Sequence, residues 1–146
     1  MIRRDLLKKI LFILLFLVFF AFIFYYAYGS KTYNFDDIVN IDKTSITKVE
    51  IKHDDKVYIL KNKREVNRFV NGLYNVEVKK SKSGASGKGS KESYWISLFK
   101  NDKEVYGLTI YDNGYLDTYH FSDKKLNEYK IVETNSLMSQ LKDLSK

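Results

Sequence analysis

The sequence predicts an α+β domain carried behind a single N-terminal transmembrane helix. Three observations predict it. Residues 10–28, ILFILLFLVFFAFIFYYAY, contain no charge. From residue 46 onward, short stretches alternate apolar and polar residues and are separated by polar turns such as DDK, NDKE and NG. In that same region, only two stretches space their apolar residues as a helix does. Many short strands with two helices favour an antiparallel sheet covered on one face.

The elements follow in order. Residues 1–9, MIRRDLLKK, form a basic tail, with Arg3, Arg4, Lys8 and Lys9 against Asp5. Residues 10–28 would rise roughly 28 Å as a helix, close to the thickness of a bilayer's hydrocarbon core. Tyr25, Tyr26 and Tyr28 cluster at its far end, where amphipathic rings favour the interface. Basic residues stand only on the N-terminal side, so the positive-inside rule places the N-terminus in the cytoplasm and the rest outside, in the cell membrane as a single-pass protein. A cleaved signal peptide is the rival reading. Its apolar core is usually about 7–15 residues and ends in small residues. This run is longer and ends in tyrosines, and Ala27 with Gly29 makes a poor cleavage pair. An uncleaved anchor is therefore expected.

Residues 29–45 read as a juxtamembrane linker that begins to dock through Phe35, Ile38 and Val39. The extracytoplasmic domain is expected over 46–146. ITKVEIKH and VYILK form a hairpin with Asp54 and Asp55 at its tip. Asn62 caps a helix, with Glu65 three residues on. Val66, Phe69, Val70 and Leu73 give that helix one apolar face, and Gly72 weakens its last turn. YNVEVKK leaves as a strand, and a flexible loop follows at 81–93. Then come YWISLFK, VYGLTIYD, YLDTYHF and EYKIVE as a meander. Asn113-Gly114 is the strongest type I′ turn signal. Thr134 or Asn135 caps a final helix with Leu137, Leu141 and Leu144 on one face. From residue 46 the expected order is β-β-α-β-β-β-β-β-α, with both helices packed on the sheet.

Two segments, ITKVEIKHDDKVYILKNKREVNRFVNGLYNVEV and YWISLFKNDKEVYGLTIYDNGYL, follow the basic-hydrophobic N-terminus. Together they resemble small membrane-anchored or lipoprotein-type extracytoplasmic proteins of Gram-positive bacteria that carry a domain of unknown function. The resemblance spans most of residues 45 to 145 and rests on pattern, without an invariant chemical motif. Unlike the lipoprotein members, this chain has no Cys after its hydrophobic run. The resemblance implies location and fold, and no activity.

Chemistry is sparse. The 146 residues include no Cys, which excludes disulfides, thiolate metal sites and a cysteine nucleophile. The net charge is +7, and three of those seven charges belong to the first thirty residues. A nucleic-acid partner is not expected, because such proteins concentrate their basic excess in the folded part. SKSGASGKGSKES superficially resembles a phosphate loop. It lacks the first Gly at the required spacing, since Lys82 stands there, and it lacks a Ser or Thr after Gly87-Lys88. A strand, not a helix, should follow it, so neither nucleotide nor any cofactor is expected. The better reading is a mobile linker whose lysines, Lys79, Lys80, Lys82, Lys88 and Lys91, are possible contacts for an anionic envelope polymer or lipid headgroups.

His53 and His120 have no partner at metal-ligand spacing. Asp36-Asp37 and Asp54-Asp55 are adjacent pairs that do not converge on one proton. No catalytic or metal residue is assigned. Tyr94, Trp95, Tyr111 and Tyr115 are the candidate aromatic binding face. The expected function is a membrane-anchored binding or sensing module of the cell envelope, held in lipid through residues 10–28. The alternative is an accessory or immunity-type protein that associates with another membrane protein through its helix. An enzyme is not expected.

Overall fold

The computed structural model describes residues 2–29, 31–82, 84–133 and 135–144. The chain divides into two compact units, Met1–Lys31 and Thr32–Lys146.

The first unit is one helix, α1 (Ile2–Gly29). It starts within the expected basic tail, so residues 2–9 are helical and continuous with the apolar run. Every side chain from Asp5 to Gly29 is exposed, and no polar stripe interrupts the apolar surface. Asp5–Gly29 is long and apolar enough to cross a membrane or to serve as a signal sequence. At 1.5 Å per residue these 25 residues rise about 37 Å. In hydrocarbon a helix suits such a segment, because all its backbone groups bond within it.

The second unit is α+β, as expected. Its elements are β1 (Thr32–Asn34), α2 (Phe35–Ile38), a 3-10 turn at Lys43–Ser45, β2 (Lys48–His53), β3 (Lys56–Leu60), α3 (Lys63–Tyr74), β4 (Glu77–Lys80), β5 (Ser93–Lys100), β6 (Lys103–Tyr111), β7 (Tyr115–His120), β8 (Lys125–Ile131) and α4 (Asn135–Leu144). All eight strands form one antiparallel sheet, ordered β1-β4-β8-β7-β6-β5-β2-β3. The β5–β8 meander is its centre. The β2–β3 hairpin extends one side, and β4 with β1 extends the other.

Alternation along the strands builds the core. Val49 stands opposite Leu98, and Leu98 opposite Tyr106. Ile51 meets Ile96, which meets Leu108. Tyr94, Ile110 and Leu116 form a third row. All of these are buried, as are Val66, Phe69, Val70 and Leu73 of α3 and Leu137 and Leu141 of α4. Each such side chain stabilises the fold by about 1.5–3 kcal/mol relative to exposure. Asn62 caps α3 by accepting the Arg64 amide at 2.9 Å. The expected α4 cap, Thr134 or Asn135, lies outside the described residues and side chains. A Cβ at Gly72 would stand 2.8 Å from Oε1 of Gln140 on α4, the tip of an exposed, flexible side chain that can turn aside.

Two expectations need correction. Residues 29–45 are not a linker: from Thr32 the chain is part of the folded unit. β1 pairs with β4, and this is an eighth strand. Phe35 and Val39 are fully buried, and the Phe35 amide donates to the Val76 carbonyl at 3.0 Å. The Tyr74 hydroxyl donates to the Ile41 carbonyl, and its ring meets Phe35 edge-on at 5.5 Å. Burial, reinforced by Asp36 and Asp42, pushes the Tyr74 hydroxyl up to about 12, so it stays a donor.

Secondly, the expected type I′ turn at Asn113-Gly114 is a different turn. Only Gly114 is left-handed there, at φ +82°, and its amide donates to the Tyr111 carbonyl at 3.0 Å. That is a three-residue loop ending in a glycine bulge. The two left-handed positions of a I′ turn occur instead at Asn101 (φ 49°) and Asp102 (φ 63°), between β5 and β6.

Phe35→Ala should destabilise the folded unit by about 3–5 kcal/mol, as should Phe69→Ala in α3. Lys63→Ala, exposed on the first turn of α3, should change stability little. Denaturant titration of the detergent-solubilised chain, read by the fluorescence of its single tryptophan, checks this. A Phe35→Ala chain as stable as the parent would return residues 29–45 to the linker class.

Candidate functional site

The sheet's second face carries the candidate site, since the helices cover only the first. Its rows follow from register. Lys52, Trp95, Thr109, Asp117 and Glu128 lie in line across β2, β5, β6, β7 and β8. Ser97, Gly107, Tyr119 and Leu126 form the next row.

Gly107 shapes this face. A Cβ there would lie 2.8 Å from Trp95 Cζ2, 2.9 Å from Trp95 Cη2 and 3.4 Å from the Phe121 ring. The indole therefore lies across bare backbone, and its Nε1 donates to Ser97 Oγ at 2.8 Å, which fixes its rotation. Tyr119 and Phe121 meet edge-to-face at 5.0 Å. Trp95, Tyr119 and Phe121 thus make a shallow aromatic platform. A lone Gly inside a strand is the sequence signal for such close approach, and the expected aromatic set did not use it.

The loop before β5 closes the other end of this face. Glu128 accepts from the Gly84 amide at 2.7 Å, the Ala85 amide at 3.0 Å, and the Ser86 amide and hydroxyl at 3.4 and 3.3 Å. Asp112 accepts from the Ser90 hydroxyl at 2.7 Å and the Lys91 amide at 3.1 Å. Asn113 Nδ2 donates to the Ser86 and Lys88 carbonyls at 3.1 and 2.9 Å. Gly84 and Gly89 are left-handed, at φ +78° and +76°, where a side chain would strain the backbone. The backbone N–H groups, Gly84 foremost, hold the Glu128 carboxyl below the usual glutamate range. The Ser90 hydroxyl does the same for Asp112.

The loop is therefore not the unattached linker the Gly/Ser composition implied. Ser86 is buried, and three consecutive amides converge on one carboxylate. Such a run of N–H groups is an anion nest. Here the anion is the protein's own. β5, a strand, follows the loop, so no helix N-terminus is presented to a phosphate.

Beneath the loop, the Tyr111 hydroxyl donates to Asp117 Oδ2 at 3.0 Å. Burial first, then Asp117, raises the Tyr111 hydroxyl above the ordinary tyrosine value. Asp117 Oδ1 and Asn113 Oδ1 are shielded from solvent with no hydrogen-bond partner among the described residues. They are acceptors open to a donor.

The expected aromatic face is not one face. Tyr94 is buried on the core side, stacked on His53 with centroids 4.1 Å apart. Its neighbour Trp95 points the opposite way, because successive strand residues alternate. Tyr111 and Tyr115 do share the Trp95 face and are half-buried. The five lysines are all exposed, but they do not form one cluster. Lys79 and Lys80 are adjacent on β4 and project from opposite faces. Lys79 stands opposite Lys130, which stands opposite Tyr115. Lys82, Lys88 and Lys91 lie in the loop.

Both histidines have local roles. His53 Nδ1 is 3.1 Å from the Ser93 carbonyl. His120 Nδ1 is 3.0 Å from Asp123. Asp54 and Asp55 form a hairpin turn, and Asp37 accepts the Asn34 amide at 3.0 Å. Among the described residues no group of three His, Cys, Asp or Glu could hold a metal. A cleft of about 300 Å³ lies between α3, α4 and the end of β3, with Leu60, Phe69 and Leu144 as apolar lining and Glu65, Arg68 and Asp143 charged.

Glu128→Ala should free the loop without unfolding the domain: amide exchange at Gly84, Ala85 and Ser86 should accelerate while that of β5–β7 holds. Acid should mimic the substitution. The folded carboxyl titrates below its unfolded value, so its contribution is complete above about pH 4–5 and is lost as pH falls through the lower folded value. Unchanged protection at those three amides in the variant would remove Glu128 as the anchor.

No protein-family model, curated protein or solved structure matches this chain.

Proposed function

We propose that this chain is a single-pass membrane protein, N-terminus cytoplasmic, whose α+β unit works outside the cell as a binding or sensing module of the envelope. The observation that carries the reading is the Asp5–Gly29 part of α1, whose uncharged run from Ile10 onward is exposed and apolar on every side. Arg3, Arg4, Lys8 and Lys9 precede the apolar run, and the next basic residue is Lys31.

The ligand class that suits the second face is an anionic, partly apolar envelope polymer. Trp95, Tyr119 and Phe121 supply flat contact area, and Lys79 and Lys130 share that face. Aromatic rings with a polar edge and lysines that steer anions are the two components such a ligand needs.

Full-length protein should sediment with membranes, and protease added to cells stripped of their wall should digest the domain. A soluble product beginning near Ser30 would make α1 a signal peptide instead. Solubilised protein should bind an anionic polymer such as polyphosphate, quench Trp95 on binding, and lose affinity as salt rises, because the contact is made of exposed charges. Tryptophan fluorescence that never responds would rule out this face as the binding surface.

A further inference from the structure

The sheet ends in two edges of different character. β1 is three residues long. β3 is five, and no described strand pairs with its far side. An open edge is a template for another strand, and proteins usually blunt it with central charges, Pro or a bulge. The centre of β3 is apolar instead. Val57 and Ile59 are 52% and 50% exposed, on the face away from the core, where they stand opposite Lys52 and Glu50 of β2. Charge on this alternation appears only at the flanks, as Asp55 before the strand and Lys61 after it.

We propose that β3 pairs antiparallel with β3 of a second copy of this chain, about a two-fold axis through Tyr58, so that two sheets continue as one. The partner is a second copy because the edge is complementary to itself when reversed. Along one alternation it reads Asp55, Val57, Ile59, Lys61: acid, apolar, apolar, base. A two-fold axis perpendicular to the sheet keeps each residue on its own face, so only registers shifted by whole alternations are allowed. Centred on Tyr58, Val57 faces Ile59 twice and Asp55 faces Lys61 twice. Centred on Val57, Asp55 would face Ile59. Centred on Ile59, Lys61 would face Val57. Centred on Lys56, that lysine would face itself. One register satisfies both the apolar and the charged pairs, which are the pairs that stabilise neighbouring strands. The inference does not depend on the membrane reading, although two copies confined to one membrane would meet at a higher effective concentration.

The absence of Cys makes the test direct. Two full-length copies with distinguishable tags are co-expressed, one carrying Val57→Cys and the other Ile59→Cys, and are then oxidised mildly. Facing positions are within disulfide reach, whereas diagonal ones are not. The mixed pair should cross-link at least about tenfold faster than either variant with itself. Lys61→Asp in both copies should abolish that preference, and adding Asp55→Lys should restore it. Tryptophan emission like the parent's shows that each variant is folded. Cross-linking that is absent, equal in all three pairings, or made only to another protein would overturn the proposal, as would a preference that ignores the charge exchange.

Discussion

An eight-stranded antiparallel sheet has two faces, and this chain has long helices for only one of them. That constraint organises the rest. α3 and α4 bring Val66, Phe69, Val70, Leu73, Leu137 and Leu141 to the first face. They do not suffice alone. The segment entering the domain contributes Phe35 and Val39 to the same core and is held there by the β1–β4 ladder and the Tyr74 hydroxyl. α3 and α4 leave the second face, which is covered instead by the Trp95 indole of β5 laid over Gly107 and by a Gly/Ser loop drawn onto Glu128, Asp112 and Asn113.

The loop shows how composition and structure part company. Eight residues of mostly Gly and Ser bury too little apolar surface to order themselves. Their polar groups order them instead. Glu128 satisfies consecutive amides that would otherwise face water, and left-handed Gly84 stands at the head of that run. A sequence resembling a phosphate loop thus does build an anion-binding nest. It is filled from within the chain.

What was legible was what is local. The α3 pattern, its Asn62 cap, the β2–β3 hairpin and the meander all follow from spacing within a few residues. What was not legible depended on partners far away in sequence. Glu128 lies more than forty residues from the amides it holds, and nothing near residue 128 advertises them. Tyr94 and Trp95 looked alike as aromatics, yet alternation sends one into the core and the other onto the open face. Asn113-Gly114 satisfies both a I′ turn and a three-residue loop, and the dipeptide alone does not choose between them. Residues 29–45 were polar enough to read as a linker because their burial rests on a few apolar side chains, Phe35 and Val39 fully and Tyr33, Ile38 and Ile41 in part, spaced through a charged stretch.

The way the domain begins has a mechanical consequence. Thr32 is already hydrogen-bonded strand, and three residues later Phe35 is fully enclosed. Tension applied through the chain before Thr32 therefore has no slack to take up within the fold. It is met first by a three-residue ladder and then by an aromatic ring that must leave the core before α2 can follow. The entry point is thus a graded fuse: a light pull strips β1 and leaves the core intact, while a harder one opens the hydrophobic centre itself.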